Sequence, residues 1–155
     1  MILNRITKCG GLLYEYISMV TEKKYSTGVK IETNCSFESF GAPLIVFSDD
    51  FHKGENGEWY FGVHYEVVLY EGGINVWYVN LNKDVMKWEN LMSLKFPVSS
   101  GKTHLLSVKI LEKALDITME DVHVVLGVKG LPKEFRVGIT ACEGINRFCN
   151  CKIEE

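Results

Sequence analysis

His64 and Glu66 stand two residues apart in the stretch WYFGVHYEVVLYEGGINVWYVNL, residues 59–81. Side chains two apart on a β-strand share a face, so the imidazole and the carboxylate can meet. Such a pair can move a proton. It can equally be a satisfied hydrogen-bonded pair with no chemistry of its own. The same stretch carries Tyr70, Asn75 and Trp77. An indole offers a broad flat face and one N–H donor, which suits stacking on a polar ring. Trp77 is preferred for that role ahead of Trp59 and Trp88.

These residues need a hairpin to bring them together. Val63, Tyr65, Val67, Leu69, Val76 and Tyr78 are branched or aromatic, as strand residues tend to be. Strands are expected from about Tyr60 to Tyr70 and from about Ile74 to Leu81. Gly72-Gly73 can take the positive φ values of a two-residue turn. That turn sets Tyr70 opposite Asn75, Val68 opposite Trp77 and Glu66 opposite Val79. His64, Glu66, Val68, Tyr70, Asn75 and Trp77 then share one mixed face. Tyr65, Val67, Leu69, Val76 and Tyr78 share the other, which is apolar and expected to be core.

Other residues could do chemistry but read more simply. Cys149 and Cys151 point the same way on a strand, with Cys142 not far off. Structural zinc usually takes four ligands, often from a tight Cys-x-x-Cys knuckle, and that knuckle is absent. The thiols therefore read as free and buried. Asp49, Asp50 and Glu55 match no calcium-loop spacing and read as a solvated acidic loop. Glu143 to Arg147 reads as a turn in which Arg147 could pair with Glu143. No metal and no cofactor is expected.

The 155 residues are expected to form one β-sandwich domain, 1–155, large enough to bury roughly two thirds of the unfolded surface. Net charge is −3, from 17 basic and 20 acidic residues without strong clustering, so no nucleic-acid partner is expected. No apolar run approaches the roughly 20 residues of a membrane-spanning helix, so no membrane partner is expected. The first twenty residues lack a continuous signal-peptide core. Together with five cysteines, an odd count, this gives a cytoplasmic expectation.

The remaining chain reads as short strands and turns. Residues 1–9 form an edge strand that Gly10-Gly11 breaks, and 12–20 form a strand or a short helix. Residues 29–33 and 44–47 are strands, and Pro43 argues against a central strand at the bend 40–43. SDDFHKGENGE, 48–58, is the longest polar loop, either a lid over one face or free in solvent. After the hairpin, 92–96, 104–111, 114–119, 122–128, 135–140 and 147–153 read as strands. Many short strands at about ten-residue spacing make a sandwich or barrel.

The segments FGAPLIVFSDD (40–50), HYEVVLYEGGINVWYV (64–79) and LPKEFRVGITACEGINRF (131–148) resemble the concanavalin A-like lectin and glucanase superfamily. The resemblance covers about residues 25–155. It implies an all-β, two-sheet antiparallel sandwich of jelly-roll type with roughly 12 to 14 strands. It also implies glycan binding on the concave sheet, with hydrolysis in some members. Retaining glucanases of this superfamily set acidic residues at alternate positions of one strand. Here Glu66 is flanked at those positions by His64 and Val68, so the second carboxylate of a hydrolase is missing.

The leading expectation is therefore glycan recognition without catalysis, with His64, Glu66, Tyr70, Asn75 and Trp77 touching an oligosaccharide or polysaccharide. The alternatives are a glycan-active hydrolase or lyase with Glu66 and His64 as acid and base, and a protein-interaction domain. A homo-oligomer fits any of the three.

Overall fold

The computed structural model describes residues 2–6, 16–55, 57, 59–82 and 85–155, with backbone alone for 2–6, 81, 82 and 85. Fifteen strands occur among them, against the 12 to 14 expected, and three are only two or three residues long. In chain order they are β1 (Ile2–Ile6), β2 (Tyr16–Val20), β3 (Tyr25–Ser26), β4 (Lys30–Glu38), β5 (Ala42–Ser48), β6 (Phe51–Lys53), β7 (Trp59–Phe61) and β8 (His64–Tyr70). Then follow β9 (Gly73–Asn82), β10 (Val85–Lys95), β11 (His104–Ile110), β12 (Ala114–Met119), β13 (Val122–Gly127), β14 (Glu134–Cys142) and β15 (Ile145–Glu154). Among the described residues no helix is long and apolar enough to cross a membrane.

The larger sheet runs β1-β2-β14-β5-β8-β9-β10, with β3 joined to β14. The smaller runs β13-β12-β11-β4-β15, and β6 with β7 makes a separate two-stranded ribbon. Every pair is antiparallel. Alternation along the strands sends Ile31, Cys35, Leu106, Val108, Ile110, Leu115 and Ile117 inward from the smaller sheet. Ile45, Phe47, Tyr65, Val67, Leu69, Ile74, Val76, Val137 and Ile139 meet them from the larger. This interlayer core contains the face of the hairpin expected to be apolar.

The hairpin differs from expectation in register but not in facing. Tyr70 pairs with Gly73, Val68 with Asn75, Glu66 with Trp77 and His64 with Val79. The loop is thus Glu71-Gly72, and Gly73 is the first strand residue. Gly73 has φ +130°, and a Cβ there would lie 2.0 Å from the Leu94 carbonyl oxygen of β10. Phe96 N–H donates to Gly72 O at 3.1 Å and Val98 N–H to Glu71 O at 2.9 Å, so the following chain grips the turn. A slide of two residues changes every partner yet keeps each side chain on its face.

Three further expectations change. Pro43 does lie in a central strand, because β5 sits between β14 and β8. It is tolerated because pairing with β8 begins only at Leu44, so no ladder bond on that side needs its missing N–H. The expected strand 60–70 is two pieces, β7 and β8, broken at Gly62-Val63. The polar loop 48–58 is half β-ribbon: Phe51, His52 and Lys53 pair with Phe61, Tyr60 and Trp59. The expected edge strand and the strand 12–20 are seen as β1 and β2. Their remainders, with Gly10-Gly11 and Cys9, lie outside the described residues, as do Lys83 and Asp84.

Candidate functional site

The outer face of the larger sheet is built row by row from the registers. Val20, Gly138, Val46, Glu66 and Trp77 form one row across β2, β14, β5, β8 and β9. Ser18, Thr140, Leu44, Val68 and Asn75 form the next. Trp88 on β10 pairs with Val79, which itself pairs with His64. The face is therefore apolar in the middle and polar or aromatic towards both sides.

The ribbon covers the apolar middle. Phe51 and Phe61 pack with Val20, Leu44, Val46 and Val68 in a second cluster, outside the interlayer core. The loop that reads as polar thus acts as a cover, anchored by its aromatic residues. Its base is clamped. Gly62 N–H donates to Asp50 O at 2.8 Å and Val63 N–H to Asp50 Oδ2 at 3.2 Å. Ser48 Oγ donates to Val63 O at 2.6 Å and accepts from Asp50 N–H at 2.9 Å. A Cβ on Gly62 would lie 1.7 Å from Asp50 Oδ2, so a larger residue there would push the carboxylate out of this clamp.

The clamp sets the histidine. His64 Nδ1 donates to the Gly62 carbonyl at 2.9 Å. A carbonyl can only accept, so Nδ1 carries a proton. His64 Nε2 lies 3.3 Å from Glu66 Oε1, and a hydrogen bond there needs one further proton, on the ring or on the carboxyl. Both residues are enclosed, His64 at 3% exposure and Glu66 at 5%. A buried pair of this kind is held by its partners and would be costly to break.

Rings extend outward from the pair. Trp59 stacks on Phe51 at 5.0 Å, Phe51 meets Phe61 at 4.8 Å, and Phe61 meets His64 at 5.2 Å. Trp88 lies edge-on to His64 at 6.2 Å and to Trp77 at 6.3 Å. Tyr16, Ser18, Phe61, His64, Glu66, Met86, Trp88 and Thr140 line a narrow cleft of about 20 Å³, room for about one water. Ser18 and Thr140 hydroxyls share a hydrogen bond of 2.7 Å in its wall. Trp88 is 36% exposed, and Trp77 is half-buried and packs on the ribbon's apolar cluster, so the two rings form a rim of which Trp88 is the more accessible part.

The five residues singled out in the sequence divide between two places. His64, Glu66 and Trp77 come together, with Asn75 one row away. Asn75 Oδ1 is buried without a hydrogen-bond partner. Tyr70 lies at the hairpin end, on a different groove with Phe37, Ser39, Phe40, Gly41, Glu71 and Ser100. Trp88 belongs to the site more than its sequence context suggests. The signal was its spacing: Met86 and Trp88 alternate on β10, in the phase that faces outward. Tyr16, Ser18 and Thr140 arrive by long-range pairing and left no local signal.

No second carboxylate joins Glu66 in these rows among the described residues. Nor does any group of three or more His, Cys, Asp or Glu there suit a metal ion. The thiols differ from expectation. Cys35 is buried and Cys142 half-buried, but Cys149 and Cys151 are exposed. They lie on an edge strand, and its register shifts between Cys149 and Lys152, where Asn150 has φ 53°. Thr33 Oγ1 lies 3.0 Å from Cys151 Sγ. Burial pushes the Cys35 thiol up to about 12, with Cys151 and Cys149 adding to it. Burial likewise raises Cys142 to about 11, against a hydrogen bond with Tyr16. Arg147 pairs with Glu38 at 2.6 Å, not with Glu143, because β15 runs beside β4.

No protein-family model matches the sequence, and no curated protein does. Solved structures do match in fold. A carbohydrate-binding module, CBM66 from Bacillus subtilis, aligns with a TM-score of 0.66 at 13% identity, over 92% of this chain and 82% of its own. A toad ovary galectin in complex with thio-digalactose aligns at 0.55 and 13%, over 90% and 98%. A glycoside hydrolase family 16 endo-glucanase from Bacteroides ovatus aligns at 0.56 and 14%, over 92% and 66%. The fold is thus the concanavalin A-like jelly roll, the architecture that the three segments of sequence resemble. At these identities the likeness is one of fold, and the fold carries both binding and hydrolysis.

Proposed function

We propose that this protein binds a glycan on the outer face of its larger sheet and does not cleave it. The observation that carries this reading is the aromatic rim. Trp88 lines a cleft that also holds the His64–Glu66 pair, and Trp77 meets Trp88 edge-on from outside that lining. Indole faces suit the C–H faces of sugar rings, and the partly exposed position lets a ligand reach them without unfolding anything. Asn75 lies one row along, but its unpartnered Oδ1 is buried and is not counted among the ligand contacts. The enclosed pair shapes and orients the floor. The three fold neighbours are a carbohydrate-binding module, a galectin bound to a galactose disaccharide analogue and a glucanase, which supports the glycan class. Hydrolysis would need a second carboxyl group about 5 to 9.5 Å from Glu66, and the face supplies none among its described residues.

A glycan array carrying β-glucans and β-galactosides tests the reading. Binding is expected, with Trp77→Ala weakening it at least about tenfold, a little over one kcal/mol. Polysaccharide turnover that Glu66→Gln abolishes would replace recognition with catalysis. A silent array alongside a concentration-dependent oligomer would point to an assembly surface instead.

A further inference from the structure

We infer that the ligand is an extended oligosaccharide, held at one end by Trp77 and Trp88 and at the other by Phe40 and Tyr70 at the hairpin end of the sandwich. This rests on the glycan reading above and adds a second sugar subsite to it.

The starting observation is a turn that works against stability. Ser39 and Phe40, between β4 and β5, have φ of 53° and 65°. Left-handed backbone is costly for a bulky residue, and such strain concentrates at functional sites. Phe40 is also 82% exposed, the most exposed large apolar side chain among the described residues. Glycine or asparagine would serve the turn better. The turn is firmly braced. Gly41 N–H donates to Glu38 O at 3.0 Å. The β14–β15 turn backs onto it so closely that a Cβ on Gly144 would lie 2.2 Å from Ser39 O. A Cβ on Gly41 would lie 2.5 Å from Ile145 O. Two interlocked turns therefore hold an exposed phenyl ring in place.

The ring borders a groove of about 260 Å³, lined by Phe37, Ser39, Phe40, Gly41, Tyr70, Glu71 and Ser100. The Tyr70 ring lies over Gly72, where a Cβ would come 2.5 Å from its Cε2. Two aromatic rings offer C–H stacking surface. The Glu71 carboxylate accepts hydrogen bonds from hydroxyl groups. Ser100 Oγ gives its proton to Phe37 O at 3.1 Å and so presents lone pairs to a ligand. Rings beside hydroxyls and one carboxylate suit a sugar better than an apolar peptide, which would leave those polar groups unpaired.

The two subsites lie along one strand. Trp77 and Gly73, the partner of Tyr70, are four residues apart on β9. That is about 13 Å at the rise of an extended strand, longer than a single sugar ring. Asn75 sits between them. A ligand touching both ends must therefore be a chain, and affinity should grow with its length.

Titration of the protein with cello-, laminari- and β-galacto-oligosaccharides, from the monosaccharide to the hexasaccharide, tests this. Affinity is expected to step up by about tenfold, roughly 1.4 kcal/mol, once the chain spans both ends. Phe40→Ala should remove that step and leave the shortest binders unchanged, whereas Trp77→Ala should weaken every length. Phe40→Asn should lose the same step while raising Tm, since it relieves the turn. Equal binding of all lengths by wild type and Phe40→Ala, with the Trp77 effect intact, would overturn the second subsite alone. Failure of the whole series to bind wild type, or indifference to Trp77→Ala, would overturn the glycan reading along with it.

Discussion

The two faces of the β8–β9 hairpin share one backbone and have opposite fates. Val67, Leu69, Ile74 and Val76 point inward and are fully buried against the smaller sheet. His64, Glu66, Asn75 and Trp77 point outward, where only a two-stranded ribbon covers them. A second sheet leaves no room for anything but close packing. A ribbon of three residues a side covers only the middle of a wide sheet, and beyond its reach the Trp77 and Trp88 rings stay partly exposed while His64 and Glu66 are enclosed beneath them. The difference between the faces is thus one of what lies on top, and the residue types follow from it.

Substitutions at increasing distance from the inner face should grade from structural to functional. Phe47, which stacks on Tyr65 at 4.9 Å in the interlayer core, is the most sensitive. Phe47→Ala should cost about 3–5 kcal/mol in chemical denaturation. Phe61→Ala removes an anchor of the ribbon and should cost less, about 1–2 kcal/mol. Its mark should be faster amide exchange across 51–61 with the sandwich intact. Trp88→Ala should change stability by no more than about 0.5 kcal/mol, as at exposed positions generally, yet weaken glycan binding as Trp77→Ala does. A large loss of stability from Trp88→Ala, with binding unchanged, would make the outer rim structural and erase the contrast.

The thiols give the smallest and simplest contrast. At pH 8 a thiol whose pKa is raised to about 12 or 11 holds almost no thiolate, and Cys35 and Cys142 are so raised. Cys149 and Cys151 are exposed. Iodoacetamide followed by peptide mass mapping should label Cys149 and Cys151 and spare Cys35 in the folded protein, with no effect on Tm. Reaction of Cys35 at the same rate would mean that the smaller sheet opens readily.

Much of this was legible because β-structure has a period of two. Alternation in HYEVVLY and INVWYV assigned both faces of the hairpin, and the assignment survived a two-residue slide because such a slide keeps parity. The register itself was not legible. Three adjacent residues, Glu71, Gly72 and Gly73, each could begin or end the turn, and the choice depends on how β10 and the chain after it pack on Gly73. Pro43 misled because a local rule about proline depends on which neighbour pairs where. The 48–58 segment read as polar, since the anchors Phe51, Trp59 and Phe61 are few and sit at its margins. Tyr70 was grouped with Trp77 by face alone, although position along the strand sets it at another groove.

On the reading proposed above, the outer rim binds a glycan while the inner face does the folding. The double variant Trp77→Ala/Trp88→Ala, titrated with the best glycan found for wild type and melted alongside it, tests this most directly. Binding should fall at least about a hundredfold, some 2.7 kcal/mol, while Tm stays within a few degrees of wild type. Undiminished binding by a folded double variant would contradict it.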